Sequence, residues 1–238
     1  MEYSGYEQKY QNDKITIYQA DCMKMLPQIP DKYYQLCIVD PPYGIGCAKT
    51  INIGNKKKGF IHRELHKAKQ WDAKRPAGNY FSEIQRVSQF QIIWGANYFT
   101  DFLHPVKGWI VWDKKENQNQ GSYFSDGEMA WSNINMPLRI FKYGWIGVDY
   151  INHPIREIKI HPTQKPVALY QWLLKNYAKQ GDRILDTHLG SGSSAIAADI
   201  MGFDFTGYEI DKDYYEAALD RFNRHKQQCV LEFKKEAK

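Results

Sequence analysis

An apolar run that ends in two consecutive prolines constrains the fold of this chain more than any other feature. Residues 36–39 can form a buried β-strand, which must stop at Pro41 and Pro42 because neither has a backbone N–H for a sheet ladder. The stop leaves a carboxylate, Asp40, and an aromatic ring, Tyr43, at the end of a strand. In open α/β sheets, ligands bind at this end of the strands.

The chemistry of this turn suits a planar ring that carries an amino group. Asp40 and a neighbouring carbonyl can accept its N–H bonds while the Tyr43 ring stacks on its face. We therefore regard Asp40, Pro41, Pro42 and Tyr43 as candidate catalytic residues. The alternative is a strand followed by a stiff turn with a surface tyrosine, so the rest of the chain must decide.

The composition of the chain bounds its class. A length of 238 residues fits one α/β domain, and 43% hydrophobic with 25% charged residues is typical of soluble globular proteins. No apolar run approaches the roughly 20 residues of a membrane span, and the N-terminus lacks the features of a signal peptide. No two of the four cysteines form a Cys-x-x-Cys pair, so free thiols, a cytoplasmic location and no membrane partner are expected.

Strand-like and helix-like segments alternate along the chain. Strands are predicted at 15–19, 35–39, 90–94, 109–112, 183–186 and 205–209, and helices at 23–26, 78–87, 166–177, 193–201 and 211–225. This alternation predicts a single α/β domain over residues 1–238, with a Rossmann-like, mostly parallel sheet and helices on both faces. Residues 114–160 are polar, aromatic and irregular, and we expect them to form a small target-recognition insertion, with a solvated surface insertion as the alternative.

A glycine-rich strand-to-helix turn lies unusually close to the C-terminus. Gly190 and Gly192 allow a tight turn after the strand, and the helix that follows favours an anion at its N-terminus. Glu209 ends the next strand, where a carboxylate can accept hydrogen bonds from ribose hydroxyls. The pattern also fits the fingerprint of an NAD-dependent dehydrogenase, a remote alternative because too few residues follow Glu209 to complete a nicotinamide domain.

Three segments together resemble a known enzyme family. They are Asp40-Pro41-Pro42-Tyr43, the hexapeptide His161-Pro162-Thr163-Gln164-Lys165-Pro166, and the loop Asp186-Thr187-His188-Leu189-Gly190-Ser191-Gly192-Ser193-Ser194. Their sequences and order resemble the circularly permuted beta class of S-adenosylmethionine-dependent amino-methyltransferases, within the adenine-N6 DNA methyltransferases. The loop departs from the family pattern at Thr187 and His188, where the family carries Pro and Phe.

The resemblance implies a role for each of these segments. Thr163 and Lys165 would bind the carboxylate of the methionine part of S-adenosylmethionine, and Asp21 would receive the amino group of its adenine. The full set of candidate cofactor-binding residues is Asp21, Cys22, His161, Thr163, Lys165, Asp186, His188, Gly190, Gly192, Ser193 and Glu209.

The implied activity is methyl transfer to the N6 amino group of a flipped-out adenine in double-stranded DNA. Cytosine N4 in DNA, an RNA base and a protein glutamine are alternative substrates, and Asp40 favours adenine because cytosine-N4 relatives more often carry Ser there. A second copy of the chain and a restriction endonuclease are candidate partners.

Basic charge is concentrated just after the proline turn. Residues 49–76 hold seven lysines and two arginines against Glu64 and Asp72, a local net charge of +7 in a chain whose total is +5. We expect residues 44–76 to form a basic loop over the active site that neutralises phosphates, although a solvated surface loop is the alternative. The candidate nucleic-acid-binding residues are Lys49, Lys56, Lys57, Lys58, Arg63, Lys67 and, from the insertion, Arg139.

A metal site is not expected. His62 and His66 are four residues apart, but their order is not that of a His-Glu-x-x-His motif and no third ligand stands beside them.

The lysine cluster 56–58 provides a test of the DNA interface. Replacing all three lysines with alanine is expected to weaken DNA binding and to flatten the dependence of log K on log salt, because fewer counterions are released. Fluorescence anisotropy across a salt series measures both effects. An unchanged slope would indicate that these lysines do not contact phosphates and belong to a solvated surface loop.

Overall fold

One twisted sheet organises the part of the chain that the computed structural model describes, residues 3–46, 72–115, 125–145 and 159–236. Within those ranges its strands are β1 (Gln8–Gln11), β2 (Ile15–Gln19), β3 (Tyr34–Val39), β4 (Ser88–Trp94), β5 (Trp109–Asp113), β6 (Gly127–Ser132), β7 (Arg139–Lys142), β8 (Arg183–Asp186) and β9 (Asp204–Glu209). The helices are α1 (Cys22–Met25), α2 (Gly78–Val87), α3 (Val167–Tyr177), α4 (Ser193–Met201) and α5 (Lys212–Glu236).

The strand order is β1-β2-β9-β8-β3-β4-β6-β5-β7. The five strands from β2 to β4 are parallel, whereas β1 and β6 run antiparallel to their neighbours and β7 pairs in parallel with β5. The mostly parallel sheet is thus confirmed. The late strands β8 and β9 lie between the early strands β2 and β3, as the permuted order of the motifs predicts.

Side chains alternate between two hydrophobic clusters, one on each face of the sheet. In β3, Leu36 and Ile38 belong to the cluster that includes α3, α4 and α5, whereas Cys37 and Val39 belong to the cluster that includes α1 and α2. This is the period-two alternation of a strand that is buried on both faces. The prediction of helices on both faces is therefore confirmed.

The helix ends follow local capping chemistry. Asp211, just before α5, accepts a hydrogen bond from the backbone N–H of Tyr214 at 3.1 Å. The helix itself extends past the predicted residue 225 to Glu236. Among the described residues, none of the helices combines the length and the apolarity that a membrane crossing requires.

The expectation that residues 114–160 are irregular is wrong for two segments. Strands β6 and β7 both belong to the central sheet, and β6 inserts between β4 and β5. Neither carries a run of β-branched residues: β6 reads Gly-Glu-Met-Ala-Trp-Ser and β7 reads Arg-Ile-Phe-Lys. Pairing with neighbouring strands, which local propensity does not report, holds these segments in the sheet.

Candidate active site

Four carboxylates lie side by side at one edge of the sheet. Asp21, Glu209, Asp186 and Asp40 stand at or just beyond the carboxyl ends of β2, β9, β8 and β3, which are adjacent in that order. Because these strands are parallel, their ends meet at the same edge, where α/β proteins bind ligands. The fold thus brings the predicted catalytic and cofactor segments together.

The proline turn holds Asp40 and Tyr43 against each other. The Tyr43 hydroxyl donates a hydrogen bond of 2.6 Å to Oδ1 of Asp40, and the Lys165 ammonium donates to Oδ2. Burial raises the pKa of Asp40, and the positive charge of Lys165 opposes that shift. Both oxygens of the carboxylate are therefore oriented by protein donors, and each retains a further lone pair for a ligand.

Aromatic rings fix the position of Tyr43. Its ring stacks on Tyr98, with centroids 4.9 Å apart and planes 16° apart, and meets the edge of Phe99 at 6.1 Å. Gly95, at the end of β4, has a φ of +66°, and a Cβ added there would overlap the Tyr43 ring. A glycine at this position is thus required both by its backbone conformation and by the close approach of the tyrosine.

Lys165 lies deeper in the site than the sequence suggests. Its side chain is 3% exposed, and its ammonium contacts Asp40 and, at 3.0 Å, Oε2 of Glu128. Burial disfavours the charged ammonium, but Asp40 and Glu128 outweigh this and raise the pKa of Lys165. The lysine that was expected to bind a cofactor carboxylate instead faces two carboxylates of the protein.

Glu128 was missed by the sequence analysis. It lies on β6 and is bound by Lys114 as well as by Lys165. Although burial favours its neutral form, these two lysines lower the pKa of Glu128 to about 2, so it is ionised. Nothing in the local sequence separates it from a surface glutamate, because both of its partners come from other elements.

The glycine-rich loop 186–194, the candidate cofactor loop, is organised by two carboxylates that accept its hydrogen bonds. Asp186 accepts from the N–H of His188 at 3.0 Å and from the Ser194 hydroxyl at 2.6 Å, and Glu209 accepts from the N–H of Gly190 at 2.8 Å. Burial raises the pKa of Asp186 to about 6 and that of Glu209 to about 7, against these hydrogen bonds. Hydroxyl or ammonium donors from a ligand would favour their ionised forms.

The hexapeptide 161–166 is tied directly to this loop. The Ser193 hydroxyl donates to the carbonyl of Lys165 at 2.7 Å, and the buried Arg221 guanidinium donates to Ser193 Oγ at 2.9 Å. His161 packs edge-on against Tyr214, with ring centroids 4.3 Å apart. Its Nδ1 lies 3.2 Å from the hydroxyl of Thr163, which gives the turn an internal contact.

Gly192 and two residues that follow β2, Asp21 and Cys22, were also predicted to bind the cofactor. Gly192 has a φ of +75° and precedes α4, as the predicted tight turn requires. Asp21 caps α1 by accepting from the N–H of Met23 at 2.9 Å, and Cys22 is buried. The capping role of Asp21 uses one oxygen, so the residue retains acceptor capacity.

Thr187 and His188, the departures from the family pattern, form a small polar network. The Tyr80 hydroxyl lies 2.7 Å from Thr187 Oγ1, which lies 3.0 Å from His188 Nδ1. Burial lowers the pKa of His188 to about 4, so its imidazole is neutral at physiological pH. The network fixes the ring where the family places a phenylalanine.

The two ends of the predicted basic loop meet at the proline turn. Asp72 is 2% exposed and accepts a hydrogen bond from the N–H of Gly44 at 2.9 Å, and its carbonyl accepts from Gly46 at 3.1 Å. We call these two hydrogen bonds the Asp72 clasp. The lysines and arginine predicted to bind DNA, Lys49, Lys56, Lys57, Lys58, Arg63 and Lys67, lie outside the described residues.

Arg139 lies at the opposite end of the strands from the carboxylates of the site. It pairs with Ile110 at the amino-terminal start of β5, whereas the carboxylates of the site follow the carboxyl ends of their strands. Within the described part of the chain, no group of three or more His, Cys, Asp or Glu residues is placed to hold a metal ion.

Replacing His188 with phenylalanine is expected to change how stability depends on pH. The folded protein holds a pKa of about 4 at His188 against an ordinary 6.5, so it binds fewer protons than the unfolded chain in this window and loses stability as pH falls. Phenylalanine removes that loss. Relative to the wild type, His188→Phe should gain up to about 1.4 kcal/mol per pH unit as the pH falls from 6.5 to about 4, and nothing further below that. Urea unfolding at several pH values measures this, and a difference that does not change with pH would contradict it.

Comparison with known proteins identifies relatives over most of the chain. A family model described as DNA methylase, for N6 and N4 methyltransferases, matches residues 109–220. The type II methyltransferase M2.DpnII of Streptococcus pneumoniae is 25% identical over 251 residues, which cover 89% of this chain and 91% of the relative. The type II methyltransferase M.HpaI of Haemophilus parainfluenzae is 24% identical over 239 residues, 86% of this chain and 73% of the relative.

Solved structures share the fold. The PvuII DNA methyltransferase, described as cytosine-N4-specific, aligns with a TM-score of 0.61 at 13% identity and covers 92% of this chain and 90% of its own. The M1.HpyAVI–SAM complex aligns with a TM-score of 0.55 at 20% identity, and the alignment covers 87% of this chain and 99% of the other. The family model and the type II methyltransferase relatives support an S-adenosylmethionine-dependent amino-methyltransferase of the N6/N4 type found in restriction-modification systems, and the solved structures share its fold.

Proposed function

We propose that this enzyme methylates the N6 amino group of adenine in double-stranded DNA, on a base that has left the helix. The observation that carries the proposal is the Asp40–Tyr43 turn. It holds an oriented carboxylate and an aromatic ring at the end of β3, with the Lys165 ammonium beside the carboxylate.

Asp40 must be ionised to act on an amino group. An amino nitrogen that is conjugated with a ring carries two hydrogens and a delocalised lone pair, so it needs hydrogen-bond acceptors rather than donors. Burial alone would favour the protonated, donating form of Asp40, and the Lys165 ammonium opposes this. Asp40 and a carbonyl of the Pro41-Pro42 turn can then accept the two hydrogens and direct the lone pair towards the methyl donor.

Tyr43 offsets part of the cost of taking the base out of the duplex. Extrusion costs a few kcal/mol, and stacking on an aromatic ring returns about 1–3 kcal/mol per base in single-strand binders. The contacts of Tyr43 with Tyr98 and Phe99 hold its ring in place, so little rotational freedom remains to be lost when a base arrives.

The cofactor loop fits the proposed methyl donor. S-adenosylmethionine supplies an electrophilic methyl group when it is bound. Asp186, Glu209 and Asp21 offer acceptors for its ammonium, hydroxyl and amino groups, and the neutral His188 adds a polar edge. Lys165 is engaged by Asp40 and Glu128, so we place it with the catalytic turn rather than with the cofactor.

The preference for adenine over cytosine rests on Asp40. Cytosine-N4 members of the family more often carry serine at this position, and serine lacks the charge that the Lys165 ammonium stabilises here. The shared fold of the cytosine-N4-specific PvuII enzyme supports either base, so cytosine N4 is the second candidate.

Product analysis tests the proposal directly. The enzyme is incubated with labelled S-adenosylmethionine and double-stranded DNA, single-stranded DNA or RNA, and the nucleosides are separated. We expect N6-methyladenine from double-stranded DNA. Asp40→Ala should lower its rate at least about 100-fold, while the affinity for the cofactor alone, measured by calorimetry, is retained. N4-methylcytosine, or a product from RNA alone, would overturn the assignment, and near-normal turnover by Asp40→Ala would remove the role of the turn.

Gly95→Ala tests the position of Tyr43, with Gly181→Ala as its matched control. Both glycines have positive φ (+66° and +91°), so both variants carry a similar backbone penalty of about 1–2 kcal/mol. At Gly95 the new methyl group meets Tyr43, whereas at Gly181 no atom of the described residues lies within 4 Å of it. Methyl transfer should fall about tenfold or more in Gly95→Ala through lost stacking, and should be retained in Gly181→Ala. Equal rates in the two variants would contradict this account.

A further inference from the structure

Glu128 reaches the catalytic turn from a strand that carries none of the family motifs. Glu128 lies on β6, where it pairs with Trp112 of β5. On its other side β6 pairs with β4, and Gly95, which follows β4, lies beside Tyr43. From this position Oε2 of Glu128 lies 3.0 Å from the Lys165 ammonium, and Oε1 pairs with Lys114. The position is fixed by the sheet rather than by a loop.

The four charged groups alternate in sign. Asp40, Lys165, Glu128 and Lys114 form a continuous series of ion pairs, with side chains 15%, 3%, 22% and 19% exposed. The most buried member is Lys165, a flexible side chain that keeps its charge only where carboxylates surround it. Its backbone is also held, because its carbonyl accepts the Ser193 hydroxyl at 2.7 Å.

The charged groups around Lys165 affect how strongly Asp40, when ionised, acts as a hydrogen-bond acceptor. A lysine paired with Asp40 alone would neutralise it and weaken it as a hydrogen-bond acceptor. With Glu128 as a second partner, the three groups carry a net charge of −1, so Asp40 keeps negative charge to offer to an amino group. Lys114, on the far side of Glu128, balances the total.

We propose that Glu128 is a positioning residue, which shares the ammonium of Lys165 with Asp40 and so holds it beside the catalytic turn without fully neutralising Asp40. The inference rests on the proposed function, because the amino group that Asp40 serves is the one assigned there. Glu128 acts through Lys165 and need not touch the substrate.

The charged and titratable groups around this series come from every neighbouring element. Those that face Asp40 are Tyr43, Glu128, Lys165, Tyr170 and Asp186. Those that face Glu128 are Asp40, Tyr43, Lys114, Lys159, Lys165 and Tyr170. Among them, Glu128 raises the pKa of Asp40, whereas Lys165 lowers it, which is the balance that the proposal requires.

The test is Glu128→Gln, which keeps the size and hydrogen-bonding capacity of the side chain and removes its charge. In the ligand-free protein, carbon-13 NMR follows the Asp40 carboxyl, assigned by its loss in Asp40→Asn. We expect the midpoint of its titration to fall by about one pH unit in Glu128→Gln, because a neighbouring negative charge has gone. Glu83→Gln is the control, since Glu83 has a similar exposure, 24%, and pairs with Arg86 on α2.

Enzyme kinetics give the second measurement. In Glu128→Gln the acid limb of the kcat profile should move to lower pH with the Asp40 midpoint, and kcat should fall about tenfold while the KM for the cofactor changes less than about twofold. Glu83→Gln should leave both unchanged. A Glu128→Gln enzyme with wild-type midpoint and wild-type kcat would overturn the proposal, because a purely structural glutamate is replaced by glutamine without these shifts.

The two proposals fail separately. The NMR titration uses no substrate, so an unshifted Asp40 midpoint rejects the role of Glu128 whichever base is methylated. Formation of N4-methylcytosine by the wild type rejects the adenine assignment and leaves the titration result standing.

Discussion

Five parallel strands must end at the same edge of a sheet, and the whole candidate site depends on that constraint. The residues at the ends of β2, β9, β8 and β3 come from distant parts of the sequence, and parallel pairing alone sets them side by side. Two functions can then be divided along one edge. Asp186 and Glu209 organise a ligand loop through backbone hydrogen bonds, whereas Asp40 remains next to an aromatic ring and a lysine.

The second organising element is the buried ion pair between Asp40 and Lys165, residues 125 positions apart. Removing one partner from such a pair leaves an uncompensated charge, which typically costs about 3–5 kcal/mol. The pair therefore contributes less to the net stability of the fold than to the choice of one arrangement in the site. The charge of Asp40 is matched only when the hexapeptide 161–166 docks on the proline turn, which couples these two segments of the candidate site.

The sequence predicts the fold well where hydrophobic periodicity is strong. The bounds of β2, α2, β8 and α4 agree with the segments read from the sequence, because each carries a clear apolar pattern and a marked end. The strands β1, β6 and β7 were not predicted. Their side chains are polar or mixed, and pairing with the sheet, rather than local preference, determines their conformation.

The site shows the same division between local and long-range information. Asp40, Tyr43 and the glycine loop lie in short motifs, so they could be found from the sequence. The environment of Lys165 could not, because it depends on Glu128 and Lys114 on other elements. The hexapeptide motif identifies Lys165 as a candidate, but whether its ammonium faces a ligand or the protein depends on residues distant in sequence, such as Glu128.

The Asp72 clasp has a consequence for how this enzyme can diversify. By joining Gly44 and Gly46 to Asp72, it fixes two described parts of the chain beside the proline turn, whatever the number of residues between them. The entropic cost of holding two chain positions together rises by only about 0.6 kcal/mol for each doubling of the number of residues between them. Relatives could therefore carry segments of different length and charge at this point without a change in the geometry of the proline turn.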